Sequence, residues 1–249
     1  MGVIYIGDRE TGKTSLAMEL ANPKSNYVKV TYPDYEILKS RLYDDSLGRT
    51  KATDAVKVIH DEYLEIQVQL PTGNKQITLD WLDTPGEIWR ATWQSTNSDN
   101  WNKLLNTILQ SEGILLIVPP YREILKPDVN PEDFITQEQW CNRFNRWVDF
   151  FRYQCPRVRH LVICLNKADL FCDLHKEASQ LEYIPHRSRM NWQQRNTYVF
   201  QRYFRPIQSQ IDEINSSVSG LSIRCFITSI HNRSLLELPW IYLGSFLST

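Results

Sequence analysis

The residues best suited to chemistry lie near the start of the chain. Residues 7–14 read Gly-Asp-Arg-Glu-Thr-Gly-Lys-Thr, a full match to the pattern G-x-x-x-x-G-K-S/T, between an apolar run and a helix-forming stretch. Glycines let the backbone curl so that successive N–H groups face a phosphate, the lysine supplies a positive charge, and the threonine hydroxyl can ligate Mg²⁺. We therefore predict a phosphate-binding loop. Its candidate binding residues are Gly7, Arg9, Glu10, Thr11, Gly12, Lys13, Thr14 and Ser15, with Lys13 also a catalytic candidate and Thr14 a metal ligand.

A second polar group, Asp-Thr-Pro-Gly-Glu at residues 83–87, follows directly on a run with the alternation of a strand. Asp83 would then stand at the carboxyl end of the sheet, where its carboxylate can hold Mg²⁺ through water. Gly86 would offer its N–H to the terminal phosphate. Because Asp-x-x-Gly alone is a common turn, this prediction depends on the phosphate loop upstream.

A third group, Asn-Lys-Ala-Asp at residues 166–169, follows the apolar run 161–165, at the sheet edge where open α/β folds bind ligands. The Asp169 carboxylate can accept two hydrogen bonds from the N1–H and N2–H₂ edge of guanine, which adenine does not offer, and the Lys167 stem can lie along the purine. We predict guanine as the base, with Asn166, Lys167, Asp169 and Leu170 as binding candidates. The alternative is an ordinary strand-to-helix turn with an aspartate cap.

The elements that position these groups alternate between strand and helix. This alternation predicts an α/β fold with a mostly parallel, doubly wound sheet, one antiparallel edge strand from a hairpin, and helices on both faces. The predicted strands are 3–6, 63–70, 77–82, 113–118, 161–165 and 222–227, and the predicted helices are 14–21, 35–42, 99–110, 136–153, 192–218 and 234–246.

The connections between these elements are long in three places, 22–57, 119–135 and 170–190. Residues 24–57 give no strand signal, and residues 84–98 are predicted to form a loop. We interpret the three stretches as insertions in a single domain spanning 1–249, and surface insertions often hold partner sites.

Together the three motifs resemble those of the TRAFAC-class GTPases, and of the Ras-like small GTPases in particular, in the same order along the chain. The resemblance implies a Ras-like P-loop fold, GTP and GDP as ligands with Mg²⁺, and loops that change shape with the γ-phosphate. Thr228, Ser229 and Ile230 resemble the weaker fifth motif, whose backbone N–H groups meet the guanine O6, but the usual Ala-Lys ending is missing. The insertions are similar to those of bacterial double-GTPase families, which would imply a protein partner, such as a second GTPase.

The same resemblance requires a threonine that closes over Mg²⁺ and the γ-phosphate. Thr53 and Thr50 are the candidates, and Thr53 is preferred as metal ligand and catalytic residue. Ras-like proteins usually carry Gln after Asp-x-x-Gly to orient the attacking water, whereas this chain has Glu87, a further catalytic candidate. An ionised carboxylate there would repel the γ-phosphate, so we expect slow hydrolysis.

Arg9 lies inside the phosphate loop and permits two interpretations. Its cation could stabilise transition-state charge in cis. It could instead pair with Asp8, Glu10 or another carboxylate, and this simpler interpretation is preferred.

The net charge, the cysteine spacing and the length of the apolar runs argue against several classes of protein. A formal net charge of −1 over 249 residues gives no general attraction for nucleic acid or anionic membranes. The five cysteines form no CxxC pair and show no metal-ligand spacing with the histidines, which fits a reducing cytosol. The longest apolar runs, 114–118 and 161–165, are too short to cross a bilayer, so we expect a cytoplasmic protein without a transmembrane segment.

Two stretches that mix arginine with aromatic residues, 143–160 and 186–205, could bind single-stranded nucleic acid. Their aromatic residues fall at three-and-four spacing, which favours a buried helix face with arginines outside. The apolar residues of 240–247 could contact a membrane or a partner, but the last helix of such a fold normally packs on the sheet.

Three functions fit these observations. The preferred one is a slow GTPase that switches a protein partner, be it an effector, an activator or a second GTPase. The second is an adaptor that holds GTP or GDP without hydrolysing it, and Glu87 keeps this alternative open. The third is a P-loop ATPase or kinase in which residues 166–169 are coincidental.

Overall fold

The computed structural model describes residues 2–8, 10–44, 49–50, 60–83, 91–155 and 157–247. Of residues 49–50, 60–62, 81–83, 91–93 and 100 it describes the backbone only.

The described strands form one seven-stranded sheet and a separate two-stranded antiparallel sheet, β3 with β4. The sheet has the order β2-β5-β6-β1-β7-β8-β9, and every neighbouring pair from β6 to β9 is parallel. Only β5 runs in the opposite direction, since it is antiparallel to both β2 and β6. The strands are β1 Val3–Gly7, β2 Val28–Tyr32, β3 Tyr43–Asp44, β4 Arg49–Thr50, β5 His60–Leu70, β6 Gly73–Asp83, β7 Gly113–Val118, β8 His160–Leu165 and β9 Ser222–Ile227.

Helices pack around this sheet, with α7 and α8 against β9, and α9 against β5 and β9. Two helices begin with capping boxes, at Thr136 with Gln139 and at Asn191 with Gln194. The helices are α1 Lys13–Ala21, α2 Tyr35–Leu42, α3 Ala91–Thr96, α4 Ser98–Gln110, α5 Gln137–Gln154, α6 Leu174–Leu181, α7 Trp192–Val199, α8 Gln208–Ser217 and α9 Arg233–Phe246.

The predicted fold class is confirmed, and the central strands show why it was readable. Every residue of β7, and every residue of β8 after His160, is buried, as expected of parallel strands covered on both faces. Antiparallel pairing is confined to one side of the sheet. The reversed strand β5 is second from the edge there, because β2 pairs with its outer side.

Strand β2 lies in residues 24–57, which were predicted to be a long connection and where no strand was assigned; the short strands β3 and β4 lie there too. Only Val28 and Val30 face the core, while Lys29, Thr31 and Tyr32 are exposed. Two buried valines in five residues gave too short an alternation to be recognised. Helix α2 in the same stretch was predicted with its observed bounds.

Several other elements differ from the predictions. Strands β5 and β6 begin at His60 and Gly73, earlier than the predicted starts at 63 and 77. The predicted helix 192–218 is interrupted after α7 by a π-helical turn and a 3-10 turn that contains Pro206, which has no N–H to continue the helical ladder. The predicted loop 84–98 contains α3, and the insertion 170–190 contains α6. Residues 84–90 lie outside the described residues.

The predicted aromatic stripe of α5 and the apolar residues around α8 are core, whereas Tyr153 of α5 lies outside that stripe and is 67% exposed. Phe200 is half-buried and the other members are buried, as are four of the five apolar residues near the end of the chain. The exception is Phe246, whose exposure is 49%. None of the described helices is long and apolar enough to cross a membrane. The buried residues are Trp140, Phe144, Trp147, Phe151, Phe204, Ile207, Ile211, Ile214, Trp240, Ile241, Leu243 and Leu247.

A buried ion pair joins α9 to the chain between α1 and β2. Arg233 Nε lies 2.6 Å from Glu237 Oε1, and Glu237 also accepts the backbone N–H groups of Asn26 and Tyr27 at 2.9 and 2.8 Å. The guanidinium donates to the carbonyls of Glu19, Leu20 and Val28. This network fixes the start of β2.

We predict that Glu237→Gln lowers the free energy of unfolding by about 3–5 kcal/mol, because it leaves the Arg233 guanidinium, only 13% exposed, uncompensated and turns an amide N–H toward a backbone N–H. The control is Glu213→Gln, which breaks the exposed pair with Arg152 at 3.2 Å and should cost less than about 1 kcal/mol. Chemical denaturation measures both. Equal losses in the two variants would contradict a structural role for the Arg233–Glu237 pair.

Candidate functional site

The phosphate loop connects the end of β1 at Gly7 to the start of α1 at Lys13, and both of its glycines are required by the structure. A Cβ on Gly7 would lie 2.4 Å from the Ile117 carbonyl oxygen of β7. Gly12 has a φ of 86°, in the left-handed region, and a Cβ there would lie 2.7 Å from Asn166 Nδ2. Any side chain at either position would displace the loop from its neighbours.

Lys13 is buried and its ammonium group is turned into the loop. Nζ donates to the carbonyl oxygens of Gly7 at 3.1 Å and Asp8 at 2.9 Å. The Asp8 carbonyl also accepts the hydroxyl of the fully buried Thr11 at 2.9 Å. A positive charge at this place, at the N-terminus of α1, suits a phosphate chain.

The other predicted loop residues lie around this charge. Glu10 is exposed and has a left-handed backbone, with a φ of 63°. Thr14 and Ser15 are half-buried in the first turn of α1. Arg9 lies outside the described residues.

Asn166, directly after β8, ties the phosphate loop to the loop predicted to read the base. Its Nδ2 donates to the Thr11 carbonyl at 2.8 Å, and its Oδ1 accepts the Thr228 hydroxyl at 3.2 Å. All three residues are buried. Both the nitrogen and the oxygen of the Asn166 amide are therefore hydrogen-bonded within the protein, so Asn166 fixes the position of the phosphate loop relative to the loop 166–169.

The Asp169 carboxylate is oriented by the fifth predicted motif. Ser229 Oγ donates to Asp169 Oδ1 at 2.5 Å and accepts the backbone N–H of His231 at 3.1 Å. Asp169 is half-buried, and a carboxylate that accepts one hydroxyl keeps further lone pairs for other donors. The weaker sequence match at 228–230 thus still brings Ser229 to the loop 166–169.

The remaining residues of these two loops surround this carboxylate. Lys167 has a left-handed backbone with a φ of 59°, and it is half-buried, as is Leu170. Ile230 is 40% exposed.

Two basic residues that the sequence did not single out contact the loops. Lys126 Nζ donates to the Asp169 carbonyl at 2.7 Å, and the Lys126 N–H donates to the Leu170 carbonyl at 2.9 Å. Arg146 of α5 forms an ion pair with Asp8 at 2.7 Å. Neither belongs to a motif, and a single basic residue in an insertion or on a helix carries no sign of its partner.

The structure describes only some of the residues predicted to bind Mg²⁺ and the γ-phosphate. Asp83 ends β6, which pairs in parallel with β1, so its backbone lies at the same sheet edge as the phosphate loop. Thr50 is described by its backbone in β4, and Thr53, Gly86 and Glu87 lie outside the described residues. A hydroxyl at Thr14 and a carboxylate at Asp83 are hard oxygen donors, which fit Mg²⁺.

The strand order and the positions of the loops decide the fold. The predicted phosphate loop follows β1 at the centre of the sheet, the loop 166–169 follows β8 two strands away, and the reversed β5 lies on the other side beyond β6. This is a Ras-like P-loop GTPase fold.

Comparison with known proteins was made by family, by sequence and by structure. No protein-family model matches the chain, and a search of curated proteins found no match. The solved structures similar to this GTPase fold include the signal recognition particle receptor SRb-GTP/SRX complex from Chaetomium thermophilum, with a TM-score of 0.47 and 14% identity over 98% of this chain and 97% of that chain.

Two further solved structures are also similar. A GTP-binding protein from Sulfolobus solfataricus in complex with GDP has a TM-score of 0.45 and 13% identity over 98% of this chain, which spans 52% of that chain. The G domain of the T. maritima FeoB iron transporter has a TM-score of 0.39 and 15% identity over 99% of each chain.

Proposed function

We propose that this chain binds GTP and GDP with Mg²⁺ and hydrolyses GTP slowly, as one domain. The observation that carries the proposal is the buried Asn166 amide, which joins the phosphate loop at Thr11 to the loop that holds Asp169. It connects a site for phosphate to a site for a base. A nucleotide is the ligand that needs both.

The phosphates of the nucleotide are bound by the positive charge of Lys13 and by backbone N–H donors. Lys13 exchanges its carbonyl partners on Gly7 and Asp8 for the β- and γ-phosphate oxygens, and the loop N–H groups add fixed dipoles. Mg²⁺, when bound through Thr14 and Asp83, neutralises charge that develops on the phosphates. Thr53 and Gly86 are the predicted contacts to the γ-phosphate.

The base end selects guanine through Asp169. A carboxylate presents only acceptors, which match the N1–H and N2–H₂ donors of guanine, whereas adenine presents an acceptor at N1. The hydrogen bond from Ser229 keeps the carboxylate in place. Backbone N–H groups of 228–230 are proposed to meet the guanine O6.

The output of the cycle is binding of a protein partner, an effector, an activator or a second GTPase. In a nucleotide switch, the loops that contact the γ-phosphate take different arrangements with GTP and with GDP, and a partner that binds only the GTP arrangement is released on hydrolysis. All five thiols are free, which fits a place in the reducing cytoplasm. The alternative is an adaptor that keeps its nucleotide, favoured by the Glu87 carboxylate.

Phosphate release from bound GTP distinguishes the two functions. We predict slow release that requires Mg²⁺ and stops with a chelator. Glu87→Gln should speed release by about tenfold, because glutamine orients water without repelling the γ-phosphate. The control is Glu138→Gln on the exposed side of α5, which should leave the rate unchanged. If GTP stays intact in both the wild type and Glu87→Gln, hydrolysis is contradicted and the adaptor is the function that remains.

A further inference from the structure

The phosphate loop contains an acidic residue, Asp8, although its ligand is negatively charged under the proposed function on which this inference rests. The Asp8 side chain is 17% exposed, so water solvates its carboxylate poorly. Without a counter-charge it would repel phosphate groups in the loop. The structure shows that counter-charge on α5.

Arg146 supplies it through an ion pair with an Nη2 to Oδ1 distance of 2.7 Å. Its guanidinium lies 5.6 Å from the centre of the Trp147 ring, which restricts its position. The Nε atom is buried and has no hydrogen-bond partner in the described part of the chain. Asp8 is therefore the acceptor that holds this cation in place.

The backbone carbonyl of Asp8 also positions two other side chains of the phosphate loop. Its carbonyl oxygen accepts both the Lys13 ammonium at 2.9 Å and the Thr11 hydroxyl at 2.9 Å. A change in the position of Asp8 moves the carbonyl that holds both groups. The contacts run in one chain from Arg146 through Asp8 to Lys13.

We propose that Arg146 is a positioning residue for nucleotide binding, which neutralises Asp8 and fixes the phosphate loop against α5. Arg146 acts through Asp8. The proposal separates two roles within the loop: Lys13 attracts the phosphates, and the Arg146–Asp8 pair removes a charge that would repel them.

A double-mutant cycle on the 249-residue chain tests it, with GTP and GDP affinities measured by calorimetry in Mg²⁺. Arg146→Met keeps the side-chain stem and should lower the affinity for GDP by about tenfold. It should lower the affinity for GTP by more, because GTP carries more negative charge. Asp8→Asn in the same chain should restore most of the lost affinity, since no carboxylate is then left unpaired. Arg146→Lys should retain most of the affinity.

Arg143→Met, one turn earlier on α5 and exposed, is the matched control and should bind as the wild type does. If Arg146→Met binds both nucleotides with wild-type affinity, the proposal is overturned while the proposed function stands. A loss that Asp8→Asn does not restore, with equal effects on GTP and GDP, would show a packing role for Arg146 and also overturn it. A wild-type protein that binds neither nucleotide would instead overturn the proposed function.

Discussion

Replacing Lys13 by alanine is expected to weaken GTP binding by roughly two to three orders of magnitude, the loss typical of a buried charge whose partner is removed. The ammonium already lies within the loop, held by two carbonyl oxygens that are weaker acceptors than a phosphate. Affinities for GTP and GDP in Mg²⁺ are measured by calorimetry. GDP should lose less, because it lacks the γ-phosphate.

The matched control is Lys24→Ala, an exposed lysine just beyond the end of α1. It should leave both affinities unchanged. Thermal unfolding without nucleotide checks that Lys13→Ala is folded, and Lys13→Met serves if it is not, since methionine keeps the apolar stem. Wild-type affinity in a folded Lys13 variant would contradict the assignment of the phosphate loop.

Replacing Asp169 by asparagine is expected to change which base is bound. An amide offers one acceptor and one donor where the carboxylate offered two acceptors, so the guanine N2–H₂ loses its partner. Loss of charge-assisted hydrogen bonds predicts at least about 100-fold weaker GTP binding. Xanthine, with a carbonyl at C2, matches the amide, so XTP should bind better to the variant than to the wild type.

The control for this exchange is Asp128→Asn, an exposed aspartate in the segment that also carries Lys126. It removes the same charge near the site but should leave base preference unchanged. Competition of GTP, XTP and ATP against a labelled nucleotide gives all three preferences. A variant at position 169 that keeps its preference for GTP over XTP would contradict the role of Asp169.

The sequence predicted the centre of this protein better than its edges. Strands β7 and β8 are continuous apolar runs, and the phosphate loop is a motif whose glycines serve local geometry, so both were readable from neighbouring residues. Strand β2 was missed because its stability comes from pairing with β5, far along the chain. The break at Pro206 was missed because the apolar spacing continues across it.

The candidate site also contains residues that local motifs predicted and residues that only the folded chain brings together. The Gly7–Lys13 loop and the loop 166–169 each carry a local pattern, and the structure joins them through Asn166. Arg146 and Lys126 act on these loops from elsewhere in the chain, and a long-range pair leaves no local pattern in one sequence. The proline-rich segment 119–135 was predicted as an insertion, but its contact with the Asp169 loop is a property of the folded chain.

We infer that this fold holds a guanine nucleotide. The most direct measurement is titration of purified, nucleotide-stripped wild-type protein with GTP, GDP and ATP in the presence of Mg²⁺. We predict tight binding of GTP and GDP and at least about 100-fold weaker binding of ATP, since adenine offers Asp169 an acceptor where guanine offers N1–H. Preference for ATP, or no binding of any of the three, would contradict the claim.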